Sequence, residues 1–280
     1  MPTSYRLGPR GTPAGPQPAP WAYARAMRVH LVQTDIAWEN RPENYRRVTA
    51  ALDGAGVRPG SFVLLPEMFD TGFSFNLPVT ADRDDATLSF LRDTAKRLSV
   101  TLQGARTVIG PDGRGRNQAP IIAPDGSLLA AFDKIHPFSF GKETEFFTGG
   151  DRVLTFPCGD TTICPAICYD LRFPELFRRG MTMGAEVFAL GANWPAPRKL
   201  HRRALGVARA IENQAFMLCV NRCGHDPNAQ YEGGTYAVDP KGEVLGELGD
   251  QPGVLTLDLD LAALRDWRAR FPAWKDARLL

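Results

Sequence analysis

The stretch Ile163–Glu175, with the sequence ICPAICYDLRFPE, is the most informative part of this chain. It begins as an apolar strand, stops at Cys168, and breaks into a polar turn with a proline before a helix begins. A thiol at the tip of a strand is open to substrate and faces the N-terminus of the next helix, which favours a thiolate and can stabilise an oxyanion. Cys164 lies inside the apolar run, where a buried structural cysteine is expected. Taken alone, the pattern predicts a nucleophile at Cys168 no more strongly than a small buried side chain.

The composition excludes several classes of protein. The 280 residues are 44% hydrophobic and 23% charged, enough to bury a full core. The 33 Lys and Arg residues nearly balance 31 Asp and Glu residues, and neither sign forms runs, so we expect no nucleic-acid-binding face and no membrane-surface helix. No apolar run reaches the roughly 18 residues of a membrane span. The five cysteines are an odd number without paired histidines, which predicts reduced thiols in a cytoplasmic protein and no metal site: Cys158, Cys164, Cys168, Cys219 and Cys223.

Residues 1–26 differ from the rest of the chain. They lack hydrophobic periodicity and the continuous apolar run of a secretory signal. We interpret them as a disordered tail, or as sequence upstream of a true start at Met27, and assign them no function. They are rich in proline: Pro2, Pro9, Pro13, Pro16, Pro18 and Pro20.

From Met27 the chain alternates between strand and helix patterns. We predict helices at 42–56, 86–99, 174–183 and 199–214. We predict strands at 27–36, 61–65, 100–109, 118–123, 128–134, 161–168, 185–191, 215–221, 234–239, 243–248 and 253–259. This alternation, without an internal repeat or linker, predicts one α/β layered domain over residues 27–280.

Two other apolar strands end in a polar residue as the Cys168 strand does. Glu67 follows the run ending in Pro66, and Lys134 follows Ala131–Asp133. Taken alone, each fits a strand-end side chain that reaches solvent better than it fits a catalytic group. If the three strands share a sheet edge, however, an acid, a cation and a thiol converge, which is the set that covalent amide hydrolysis requires.

These segments resemble those of the nitrilase, or carbon-nitrogen hydrolase, superfamily. The resemblance makes Glu67 in PEMF the general base, Lys134 in DKIH the catalytic lysine and Cys168 in CYDLRFPE the nucleophile, spaced by 67 and 34 residues. It makes Glu143 the second glutamate beside the lysine, with Glu145 as a competitor. It further implies a four-layer α-β-β-α sandwich, a homodimer formed across the helices, and no metal or organic cofactor.

Three further segments are most similar to the omega-amidase branch of that superfamily: Ala192–Arg198, Ala210–Ala215 and Arg270–Trp274. The branch implies a small amide substrate, the omega-amide of a 2-oxo acid such as 2-oxoglutaramate, and release of ammonia. Another branch, acting on N-carbamoyl amines or amino acids, is the alternative. From a different class, a catalytically silent scaffold with the same fold remains open.

The residue chemistry suggests a role for each part of the site. Glu67 would take the thiol proton of Cys168, and the oxyanion would lie between the Lys134 ammonium and the backbone N–H of Tyr169. His136, near Lys134, raises the alternative of a Cys–His pair, although a supporting hydrogen bond is the more common role for such a histidine.

Substrate binding is predicted from residues near the strand ends. Arg172 can hold a carboxylate through its planar guanidinium, or equally form a structural ion pair with Asp170 or Glu175. Asn193 and Trp194 can line the pocket or serve only as turn and core residues. Weaker candidates for the same pocket are Phe73, Tyr169 and Arg198.

Overall fold

The computed structural model describes residues 26–278 of the chain. The proposed tail lies outside this range apart from Ala26, so both the tail and the single domain over 27–280 stay predictions. The strands of the described part are β1 (Met27–Gln33), β2 (Phe62–Leu64), β3 (Thr101–Gln103), β4 (Arg106–Ile109), β5 (Gly115–Ile122), β6 (Leu128–Asp133), β7 (Phe156–Cys158), β8 (Thr161–Ile167), β9 (Val187–Ala192), β10 (Phe216–Asn221), β11 (Cys223–His225), β12 (Gln230–Glu232), β13 (Tyr236–Val238), β14 (Val244–Glu247) and β15 (Gly253–Leu259). The α-helices are α1 (Arg41–Gly54), α2 (Leu77–Thr80), α3 (Ala86–Leu98), α4 (Glu143–Phe146), α5 (Pro174–Thr182), α6 (Lys199–Asn213) and α7 (Leu261–Arg270).

The strands form two large mixed sheets and one small hairpin. The first sheet has the order β15-β1-β2-β3-β5-β4, with β6 also paired to β5. The second has the order β14-β13-β10-β9-β8-β7, and β11 and β12 form a separate two-stranded sheet. Strands β1, β2 and β3 run parallel in the first sheet, as do β8, β9 and β10 in the second. The ends of these parallel strands therefore lie together at one edge of each sheet.

Side-chain alternation in β2 explains how the first sheet is covered. Phe62 and Leu64 point into the core shared with the second sheet, whereas Val63 packs into a separate cluster with Leu52 of α1 and Leu91 of α3. Successive residues of a strand point to opposite faces, so a fully apolar strand must be covered on both sides. This strand is accordingly buried between the second sheet and a helical layer.

The second sheet is covered on its outer face by α5 and α6. Gly180 of α5 lies so close to the sheet that an added Cβ would be 2.6 Å from Cys164 Sγ. In the next helix, the Arg202 carbonyl accepts a hydrogen bond from the Tyr236 hydroxyl at 2.7 Å. The α-β-β-α sandwich predicted from the resemblance is therefore confirmed.

Most predicted elements are present with ends shifted by a few residues, but some predictions were wrong. The strand predicted at 100–109 is divided into β3 and β4, and the sequence interpretation missed α7 and the β11–β12 hairpin. The apolar strand stops at Ile167, and Cys168 opens a 3₁₀ turn, Cys168–Arg172, rather than ending the strand. Among residues 26–278, no helix is both long and apolar enough to cross a membrane.

Candidate active site

The candidate residues come from both sheets and meet where strands end. Glu67 lies shortly after β2 and Lys134 directly after β6, both in the first sheet, while Cys168 directly follows β8 in the second. Gly191 lets the sheets approach here, since an added Cβ would lie 2.6 Å from the Leu65 carbonyl oxygen. The convergence thus depends on face-to-face packing of two sheets rather than on one shared sheet edge.

A buried ion cluster forms the floor of the site. Lys134 Nζ donates to Glu67 Oε1 and to Glu143 Oε2, each at 2.8 Å. Asn117 Nδ2 donates to the same two carboxylates, at 2.8 Å to Glu67 and 3.2 Å to Glu143. The lysine and Glu67 are each 1% exposed and Glu143 is fully buried. Because buried charges are costly without partners, this closed network fixes each side chain in one position.

The cluster sets the protonation of its members. Burial opposes the charged form of Lys134, but the Glu143 and Glu67 carboxylates outweigh it and raise the pKa of the lysine. Burial raises the pKa of Glu143, although Lys134 opposes that shift. Burial, and then the Glu67 charge, raise the pKa of Cys168 well above its usual value. The lysine is therefore a fixed cation, and the resting nucleophile candidate is a thiol rather than a thiolate.

Cys168 has an unusual backbone conformation. Its φ of 46° lies in the left-handed region, which residues other than glycine adopt rarely and with some strain. Its thiol contacts the Asn193 carbonyl oxygen, with Sγ 3.8 Å from it, and the residue is 8% exposed. Cys168 therefore lines a pocket although it is almost fully buried.

Asn193 joins Glu67 to the second sheet. Its backbone N–H donates to Glu67 Oε2 at 2.9 Å, and its side chain Nδ2 donates to the Glu67 carbonyl oxygen at 2.7 Å. Lys134 and Asn117 donate to Oε1 of the Glu67 carboxylate and the Asn193 N–H to Oε2, so both oxygens accept hydrogen bonds. One short segment after β9 therefore contacts both the acid and the thiol.

A pocket of about 710 Å³ opens above Cys168. Its walls contain many aromatic side chains, and its size is within the range of about 300–1,000 Å³ that is usual for small-molecule sites. Phe73 is part of the wall and lies 5.3 Å from Lys134 Nζ, measured to the ring centre. All six residues that the sequence predicted for substrate binding line this pocket: Phe73, Tyr169, Arg172, Asn193, Trp194 and Arg198.

Three cations stand at the pocket: Arg172, Arg198 and Lys142. Arg172 lies over the Trp194 ring at 5.0 Å, and its Nη2 is 3.3 Å from His201 Nδ1. Among the ion pairs of residues 26–278, Arg172 has none with either acid that the sequence interpretation proposed as a structural partner. The guanidinium is half-buried and contacts a neutral ring on one side, so it is available to an anion in the pocket.

Neighbouring residues that competed for roles have other partners. His136 Nδ1 lies 2.8 Å from Asp170 Oδ1, and the ring stacks on Phe173. Glu145 is exposed to solvent, whereas Glu143 contacts the lysine. These contacts favour a supporting role for His136 and select the first of the two glutamates.

Asn117 is the site residue that sequence reasoning missed. It is the third residue of β5, and its backbone carbonyl also accepts a hydrogen bond from the Lys134 N–H at 2.8 Å. Its only sequence signal is its residue type, because asparagine is depleted in strands. The other residues on the same face of β5 are buried. Among residues 26–278, no three His, Cys, Asp or Glu side chains are grouped as metal ligands would be.

Comparison with known proteins gives this geometry its context. Residues 28–269 match the carbon-nitrogen hydrolase family. The omega-amidase YafV of Escherichia coli (strain K12) is 32% identical over 253 residues, covering 90% of this chain and 96% of that protein. The 2-oxoglutaramate amidase of Bacillus subtilis (strain 168) is 30% identical over 252 residues, covering 89% of this chain and 97% of that protein.

A solved structure supports the same assignment. It is a CN-hydrolase superfamily protein of Xanthomonas campestris with an arsenic adduct in the active site. It superposes with a TM-score of 0.86 at 33% identity, covering 92% of this chain and 99% of that one. The resemblance inferred from the three motifs is confirmed, and the chain belongs to the carbon-nitrogen hydrolase family.

Proposed function

We propose that this enzyme hydrolyses the omega-amide of short 2-oxo acids, such as 2-oxoglutaramate, and releases ammonia. The observation that carries the proposal is a buried Glu67–Lys134 pair beside the Cys168 thiol, at the floor of a pocket with cations at its rim. The similarity to the Escherichia coli omega-amidase and the Bacillus subtilis 2-oxoglutaramate amidase supports the same substrate class.

Glu67 acts as the base in this proposal. It takes the Cys168 proton as the sulfur attacks the amide carbon, a positioned transfer that contributes roughly 10²- to 10⁴-fold. Lys134 stays protonated because two carboxylates stabilise its charge, so it does not compete for that proton. Glu67 then protonates the departing nitrogen, which leaves as ammonia. A water molecule, deprotonated by the same glutamate, hydrolyses the thioester and restores the thiol.

The oxyanion of the tetrahedral intermediate is stabilised in this scheme by the Lys134 ammonium and the backbone N–H of Tyr169. Each preorganised donor of this kind is worth about 3 kcal/mol in transition-state stabilisation. Glu143 contributes indirectly, because its carboxylate, like that of Glu67, accepts a hydrogen bond from Lys134 at 2.8 Å.

The far end of the substrate carries a carboxylate, which Arg172 binds in this proposal. Its guanidinium is half-buried over Trp194 and four residues from the nucleophile, so it is near a substrate of four or five carbons. Arg198, over Phe138 at 5.3 Å, and Lys142 add positive potential at the pocket. Phe73 and Trp194 enclose the carbon chain between the two ends.

Ammonia release from a panel of amides tests the proposal. The panel contains 2-oxoglutaramate, 2-oxosuccinamate, a neutral aliphatic amide of similar length, an N-carbamoyl amine and a nitrile. The highest kcat/KM is expected for the 2-oxo-acid amides. Release of carbon dioxide together with ammonia from the carbamoyl amine, at a higher kcat/KM, would assign the enzyme to another branch. Absence of turnover on the whole panel would favour the silent scaffold.

Two properties of the protein outside the site are also proposed. Five free cysteines support a reducing compartment such as the cytoplasm, since disulfides are rare there.

Exposed apolar side chains on α6 and just after α7, Ile211 at 49% and Phe271 at 53%, support a homodimer formed across this side. Light scattering of the purified protein tests the dimer, and a monomeric mass at micromolar concentration would contradict it.

A further inference from the structure

Asn221, a buried residue outside the pocket, holds the segment that carries Asn193. The Trp194 N–H donates to Asn221 Oδ1 at 2.7 Å, and Asn221 Nδ2 donates back to the Trp194 carbonyl at 3.1 Å. One side-chain amide therefore holds both backbone polar groups of the residue that follows Asn193. Asn221 is 2% exposed and is absent from the pocket wall.

Strand register explains why the amide is placed there. Asn221 is the last residue of β10 and pairs with Ala192, the last residue of β9. The chain leaving β9 therefore passes directly beside the Asn221 side chain. Asn221 itself is fixed, because its Nδ2 also donates to the Gly233 carbonyl at 3.0 Å and its N–H donates to Thr235 Oγ1 at 3.0 Å.

We propose that Asn221 is a positioning residue that keeps Glu67 and Cys168 in reactive geometry through the Asn193–Trp194 backbone. The inference rests on the proposed roles of Glu67 and Cys168 in hydrolysis. The path is short and continuous: Asn221 holds Trp194, whose neighbour Asn193 donates to Glu67 Oε2 and accepts from the Cys168 thiol. A displacement of about 1 Å at reacting groups costs on the order of 100-fold in rate.

The chain offers a matched control in Asn44, which makes the same set of contacts elsewhere. Asn44 Oδ1 accepts from the Ala37 N–H at 2.7 Å, and its Nδ2 donates to the Ala37 carbonyl at 2.8 Å and the Asp70 carbonyl at 2.7 Å. It is also 2% exposed. Asn44 and Asn221 therefore cost the fold similarly when truncated, but only Asn221 holds a segment that contacts the acid and the thiol.

The experiment compares Asn221→Ala with Asn44→Ala in the full chain. Both variants are expected to lose a similar amount in melting temperature. Only Asn221→Ala should lose about 10- to 100-fold in kcat with KM changed by only a few fold. The acidic limb of its kcat/KM profile should move to higher pH, because a carboxylate that loses an N–H donor holds its proton more tightly.

Alkylation of Cys168 by iodoacetamide supplies a readout that needs no amide substrate. Asn221→Ala should slow this reaction at pH 7 relative to both the wild type and Asn44→Ala, since the thiol depends on Glu67 to accept its proton. If the wild type hydrolyses no amide, the proposed function fails while alkylation still tests the positioning role. Equal kcat, pH profiles and alkylation rates in the two variants would overturn that role. If Asn221→Ala does not fold, the nearly isosteric Asn221→Asp takes its place, because it keeps the acceptor for Trp194 and loses both donated bonds.

Discussion

The floor and the rim of the pocket differ in how far their side chains are exposed to solvent and in how firmly hydrogen bonds fix them. At the floor, Lys134, Glu67 and Glu143 are at most 1% exposed, and several hydrogen bonds fix each side chain. At the rim, Arg172 is half-buried and Phe140 is 84% exposed. Interactions at the floor are hardly screened by water, whereas those at the rim are. This contrast predicts that changes at the floor remove the chemistry, while changes at the rim alter only which amide is used.

The largest effect is expected from removing the nucleophile. Cys168→Ala should lower turnover by more than about 10⁴-fold while leaving the melting temperature nearly unchanged. Cys158→Ala is the matched control. Cys158 is similarly buried, 6% exposed against 8% for Cys168, but it lies in β7 and does not line the pocket. Peptide mapping after partial inactivation by iodoacetamide should find the label on Cys168. Label on Cys219 or Cys223 that tracks the loss of activity, with Cys168 unmodified, would refute the assignment.

Glu67→Gln should come next, because it removes the base and keeps the shape. Turnover should fall by roughly 10²- to 10⁴-fold. The raised pKa of Cys168 keeps its thiol protonated at neutral pH, so alkylation at pH 7 should also slow without the base. As the pH rises, the Cys168 thiolate forms without a protein base, and the alkylation rate should recover. An alkylation rate at pH 7 equal to that of the wild type would show that Glu67 is not the proton acceptor.

Lys134→Met tests the electrostatic balance of the floor. It removes an oxyanion donor, at a cost of about 10²- to 10³-fold in kcat. It also leaves two buried carboxylates without their cation, which should lower the free energy of unfolding by about 3–5 kcal/mol. Adding Glu143→Gln should restore much of the stability in urea denaturation but none of the activity. Recovery of turnover in the double variant would contradict the catalytic role of the lysine.

The smallest effect is expected at the rim. Arg172→Lys should lower kcat/KM for 2-oxoglutaramate by roughly 10- to 150-fold, because lysine keeps the charge but loses the planar pair of donors. The neutral amide should be much less affected. Arg198→Lys is the comparison variant and should change both substrates by only a few fold. Equal losses of Arg172→Lys on the charged and the neutral amide would make the arginine structural.

Sequence reasoning was most effective where the signal was local. Hydrophobic periodicity placed most helices and strands. The break from an apolar strand to a polar residue picked out Glu67, Lys134 and Cys168, which the structure brings to one site, while their catalytic roles stay predictions. It missed α7, although Asp260 caps this helix by accepting from the Ala263 N–H, because only Leu261 and Leu264 of the helix are buried and the apolar stripe is thin. It missed Asn117 because one asparagine in a strand carries no pattern until its partners are known.

The amino-acid sequence by itself determined the layered α/β architecture and which three residue types follow the critical strands, since period and polarity depend on near neighbours. Only the tertiary structure decided that the acid and the lysine come from one sheet and the thiol from the other. It also selected Glu143 over Glu145, gave Cys168 its left-handed backbone, and joined Trp194, the neighbour of Asn193, to Asn221 across two strands. These outcomes depend on contacts between residues far apart in the chain, whose geometry follows from how the two sheets pack and not from any local pattern.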